Sequence, residues 1–94
     1  MAELKDTISL MQSDDFKKRF VAEYYQTKIR YEKLKQLNTK RKAGVLTFEP
    51  KCSDDILRQQ QSIMGQLLEI LEVRAYIEDI TLPNVELTNP DELF

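Results

Sequence analysis

Ile56-Leu-Arg-Gln-Gln-Gln-Ser-Ile63-Met-Gly-Gln-Leu67-Leu-Glu-Ile70-Leu-Glu-Val-Arg-Ala-Tyr-Ile77 is the stretch that decides how this chain folds. Isoleucine returns at every seventh position, and Leu57, Met64 and Leu71 stand one residue further on. Two turns of α-helix take about seven residues, so each series runs along one side of a single helix. Leu67 and Leu68 fill the interval between turns and widen the apolar surface. One neighbouring helix cannot cover all of it. The expectation is contact with a second copy, or with another protein, through Ile56, Leu57, Ile63, Met64, Leu67, Ile70, Leu71 and Ile77.

Local signals place this helix at about 54–79. Ser53 before Asp54-Asp55 combines a cap with acids in the first turn. Gly65 lies inside and costs about 1 kcal/mol relative to alanine, a cost explained equally by close approach of another helix or by a tolerated irregularity. Upstream, Phe16, Phe20, Tyr24, Thr27, Tyr31 and Leu34 recur at spacings of three and four, and Val21, Tyr25 and Ile29 widen that face. This predicts a first long helix over about 14–42, capped by Ser13. Lys40-Arg41-Lys42 complements the dipole at its end, and Gly44 stops it. The β-prone link Val45-Leu-Thr-Phe-Glu-Pro50 is expected to tuck Val45, Leu46 and Phe48 across the hairpin's open end.

The fold class is therefore all-α: an antiparallel two-helix hairpin over 13–80 that oligomerises into a helical bundle. A short lead-in occupies 1–12, where Ile8, Leu10 and Met11 are available to cover the bundle's end. An extended acidic tail with Pro83 and Pro90 follows over 81–94.

Composition narrows the function. There is no histidine among the 94 residues and a single cysteine, Cys52. That removes the commonest general base, the usual zinc ligands and any intrachain disulfide, so neither an enzyme nor a metal or other cofactor site is expected. The lone thiol fits a reducing compartment. No apolar run approaches the roughly 18 residues a membrane helix needs, and the first residues lack a signal core, so a cytoplasmic location is expected. Charge is split along the chain. Residues 1–42 carry eleven Lys and Arg against six Asp and Glu, whereas residues 43–94 carry three against ten. Mutual attraction of the halves is one consequence; an anion on the basic half is the other.

The segment Tyr24-Tyr-Gln-Thr-Lys-Ile-Arg-Tyr-Glu-Lys33 is where an anion would sit. Tyr24, Lys28 and Tyr31 share one side of a helix, and Arg30 and Lys33 lie on a neighbouring side. Rings of Tyr24, Tyr25 and Tyr31 would stack on a base while Lys28, Arg30, Lys33 and Arg74 hold phosphate. The same tyrosines equally suit a helix core, and Arg74 equally suits an ion pair with Glu23 or Glu78. Extended nucleic acid is disfavoured by a pI near 5.2.

Arg19-Phe-Val-Ala-Glu23, then Arg30 and Lys33-Leu34, resembles a pattern in small proteins of crAss-like and other bacteriophages. Leu57, Gln60, Met64, Leu71 and Arg74 are similar to its second half, so the resemblance spans roughly residues 16–77. It implies a phage helical hairpin working in the cytoplasm of an infected bacterium. In size and architecture the chain is also similar to phage proteins that sequester cyclic nucleotide signals against CBASS and Thoeris defence, a likeness of fold that carries no binding residue over. The functional expectation is a cyclic-nucleotide sponge; a protein-interaction module or a virion component is the alternative.

Overall fold

A computed structural model describes residues 3–82. Its regular structure, among those residues, is entirely helical. A 3₁₀ turn, Leu4–Thr7, leads into α1 (Ile8–Met11), and the two long helices are α2 (Phe16–Ala43) and α3 (Asp54–Ile77). The tail expected over 81–94 lies outside the described residues beyond Leu82.

Capping chemistry sets the boundaries. The cap of α2 is Asp15 rather than Ser13: its carboxylate accepts from the Lys17 N–H at 2.9 Å. Ser13 instead accepts from the Asp15 N–H at 3.0 Å, shaping the turn before the helix. At the other end Gly44 adopts φ 77°, and the Val45 N–H returns to the Lys40 carbonyl at 3.0 Å. Glycine adopts that left-handed conformation without a Cβ penalty. Ser53 caps α3 as its position implies, accepting from the Ile56 N–H at 3.3 Å.

α3 stops two residues earlier than expected, at Ile77. Asp79 turns left-handed at φ 55°, and the Ile80 N–H bonds back to the Ala75 carbonyl at 2.8 Å. That six-to-one closure drives Ile80 into the core, the apolar contact that accompanies such caps. An aspartate in the left-handed region is strained relative to glycine, although glycine loses more entropy on folding. Asp79→Gly should therefore raise stability by about 0.5–1 kcal/mol, a rise of a few degrees in a thermal melt. A fall would show that the carboxylate itself holds this end of the helix.

Five pairings fix the hairpin as antiparallel, each stepping back along α3 as it advances along α2. The Lys17 ammonium donates to the Asp79 carbonyl at 3.3 Å, and the Arg74 guanidinium lies 4.9 Å from the Phe20 ring centre. The Glu72 charge acts on Tyr24. The Tyr31 ring edge passes so close to Gly65 that a Cβ there would stand 3.3 Å from it, which is why a small residue sits mid-helix. Near the loop, the Asn38 amide donates to the Leu57 carbonyl at 3.3 Å and to Gln61 Oε1 at 2.9 Å. Among the described residues, its own Oδ1 is buried without a partner. One polar residue inside an apolar seam is the usual way to pin a register.

The core gathers at the end away from the loop: Phe20, Val21, Tyr24 and Tyr25 of α2 against Leu68, Leu71 and Ala75 of α3, closed by Ile80. The lead-in thickens this end, since α1 and its preceding turn both pack on α2. Thr7 is wholly buried; its hydroxyl donates to the Leu4 carbonyl at 2.7 Å and accepts from the Gln26 amide at 2.9 Å. Leu10 packs on the core, but Ile8 and Met11 remain about half exposed. Nor do Val45 and Phe48 tuck across the far end: both are mainly exposed. The link is tied down by polar contacts, with Arg41 donating to the Cys52 carbonyl at 3.1 Å and pairing with Glu49 at 3.2 Å.

Candidate functional site

Two surfaces bear on function: the polar middle of α2 and the outward side of α3. On α2, Tyr24 and Tyr25 are 4% and 3% exposed and pack edge to face with ring centres 5.3 Å apart. They belong to the core, so neither presents a face on which a base would stack. Burial, then the nearby Glu72 carboxylate, then Tyr25, push the Tyr24 hydroxyl up from 10.0 to about 12. The unfolded phenol would ionise near its ordinary value, two units earlier. The stability gained by keeping it protonated is therefore complete below pH 10 and drains away as pH climbs towards 12. Denaturant melts across that range should steepen their decline between those values, and Tyr24→Phe should flatten it.

Tyr31 is half-buried against Gly65 and keeps part of its ring at the surface. The Lys28 ammonium lies 5.8 Å from the Tyr24 ring centre, so Tyr24, Lys28 and Tyr31 do occupy one side of α2. Arg30 and Lys33 are exposed elsewhere on the helix. At about 100° per residue they stand roughly 140–160° around from Lys28, too far for one subunit to close all three on a single phosphate. Among the described residues, no ion pair involves Lys28, Arg30 or Lys33. Arg74 is different: it pairs with Glu78 at 3.0 Å and lies over Phe20, so its guanidinium is already engaged.

The α3 surface divides into two lines. Leu68, Leu71 and Ala75 are buried against α2, with Leu57 and Met64 half-buried on the same line. Leu71, 1% exposed, is a core residue of the single chain and has nothing left to offer a second copy. Ile56, Ile63, Leu67, Ile70 and Ile77 form the other line and are 40–74% exposed. The eight residues expected at an interface thus resolve into three that face inward and five that face out. Tyr76, 87% exposed, is an aromatic the tyrosine segment does not include. It falls off both seven-residue lines, as do the buried Leu68 and Ala75, so that spacing by itself does not mark it as outward.

No described helix is long and apolar enough to cross a membrane. No group of three or more His, Cys, Asp or Glu is placed to hold a metal among the described residues. No curated protein and no solved structure matches the chain. A family model does: the Sequestin model matches residues 14–77, which begin at the turn before α2 and end with the last residue of α3. The match takes in both long helices, their link and every outward isoleucine of α3, well over half of the sequence, and the chain belongs to the Sequestin family.

Proposed function

We propose that this protein is a non-enzymatic, phage-encoded oligomer that sequesters a nucleotide-like immune signal in the cytoplasm of an infected bacterium. The family's name speaks of sequestration, and capture needs affinity without any bond being made or broken. The observation that carries the reading is Arg30 and Lys33: two exposed cations one turn apart on a rigid helix, with no ion pair to neutralise them among the described residues. Cations left unpaired on a rigid scaffold are prepared for a phosphate, because no existing partner has to be given up.

Lys28 and the open edge of Tyr31 lie on the other side of α2, so a ligand touching all of them spans more than one subunit. Tyr24 and Tyr25 are buried in the core and take no part in stacking, and Glu78 holds the Arg74 guanidinium. A second reading, a protein-interaction or virion-assembly module with no small ligand, is favoured by the five outward apolar residues of α3.

Calorimetry with a panel of cyclic di- and trinucleotides tests the choice. The wild-type chain should bind one of them saturably, at micromolar affinity or better. Arg30→Glu with Lys33→Glu should keep its helicity and lose binding. A hydrogen bond to a charged group is worth about 1.5–3 kcal/mol, so removing two weakens affinity by roughly a hundredfold or more. Absence of heat from every nucleotide, with a folded oligomer in the cell, would favour the interaction module.

A further inference from the structure

The outward line of α3 reads almost identically in both directions. Ile56 and Ile77 stand equally far from a midpoint at Gln66–Leu67, and so do Ile63 and Ile70. Between the first and last isoleucine, the residues bordering the line are Gln59, Gln60, Gln66, Leu67, Val73 and Arg74, and Arg74 is the single charge among them. In a chain with 32% charged residues, a border with one charge is out of character. That charge is already paired with Glu78 of its own chain, so a partner recognised by charge would find little there to pair with.

We propose that α3 packs against α3 of a second copy, antiparallel, about a two-fold axis passing beside Leu67. The proposal rests on the assembly assumed above and is independent of any ligand. Two-fold interfaces are self-complementary, each residue meeting the other copy's counterpart across the axis. Here Ile56 meets Ile77 of the second copy, Ile63 meets its Ile70, and the two copies of Leu67 flank the axis, each beside Gln66 of the other. The orientation follows from Arg74. In a parallel, in-register pair it would lie against its own duplicate, a like-charge contact in an apolar seam. Antiparallel, the two copies of Arg74 stand apart along the seam, each beside Gln59 of the second copy and still paired with its own Glu78 at 3.0 Å. Opposed helix dipoles favour the same arrangement.

The inner line of α3 centres on Leu68 and Leu71, and the outer line lies roughly 120° around the helix at about 100° per residue. Each α3 therefore becomes an inner helix with its own α2 on the outside. The cations of α2 stay at the surface of the pair.

Cross-linking by position reads this directly. In a Cys52→Ser background, single cysteines are placed at 56, 67 and 77 and treated with a short bismaleimide. Leu67→Cys should yield covalent dimers from most chains. Ile56→Cys alone should yield none, and an equal mixture of Ile56→Cys with Ile77→Cys should link the two. Self-linking of Ile56→Cys would show a parallel pair and overturn the axis. No linking at any position, alongside sedimentation as a monomer, would overturn the interface. Either failure leaves nucleotide binding, measured separately by calorimetry, to stand or fall by itself.

Discussion

Replacing Leu71 with alanine should lower the melting temperature by roughly 8–40 °C. Leu71 is 1% exposed and sits where α3 meets the α2 aromatics, in the thickest part of the hairpin. Truncating such a leucine costs about 2–5 kcal/mol, because transfer energy is lost and the neighbours close the gap only partly. A domain under a hundred residues shifts by about 4–8 °C for each kcal/mol. The total stability of small domains starts near 5–15 kcal/mol, so a large share of it depends on this one side chain. Ile70, its neighbour, is 57% exposed. Ile70→Ala should barely move the melt of a dilute sample. Circular dichroism at matched protein concentration compares them, since association by itself makes the melting point concentration-dependent. Equal shifts for the two variants would mean that the inner and outer lines of α3 have been assigned the wrong way round.

That pair of residues also shows where the sequence stops being readable. Two seven-residue series one position apart announce a helix with two apolar sides, and both sides exist. What the spacing lacks is any mark for which side meets α2. The tie is broken by the partner helix, whose Phe20, Tyr24, Tyr31 and Asn38 set a register that selects Leu57, Met64, Leu68 and Leu71. Local chemistry transmits well: Gly44 and Ser53 stop and start helices because each acts on its own turn of backbone. It fails where neighbours compete, as at Ser13-Asp14-Asp15, three consecutive side chains able to cap, of which Asp15 wins. It fails again for Tyr25, which is buried at the end of the hairpin that α1 thickens, and the lead-in's own pattern did not reveal that packing. Arg30 and Lys33 were legible as cations. Their separation from Lys28 was legible too, once a continuous helix is granted, since two and five residues on a helix never share a side.

Ile63→Glu combined with Ile70→Glu should separate folding from assembly. Both side chains are more than half exposed in the single chain, so the new carboxylates remain in water and the hairpin should keep its helicity and most of its melting temperature. In any assembly through this line the same carboxylates are buried without partners. Burying isoleucine contributes about 1.5–3 kcal/mol when complete, and an unpaired buried charge opposes association by several kcal/mol more. Association should weaken by at least about a thousandfold, which sedimentation velocity reports as a shift to monomer at concentrations where the wild type is assembled. A wild type that is already monomeric, or a variant that assembles as before, would show that the outward isoleucines bind no second copy. The variant also decides how the cations of α2 are used. Arg30, Lys33, Lys28 and Tyr31 are untouched by it. If nucleotide binding disappears with assembly, the site is shared between chains, in keeping with the wide separation of these residues around α2. If binding survives in the monomer, one side of α2 is sufficient, and the ligand has to be small enough for Arg30 and Lys33 to hold alone.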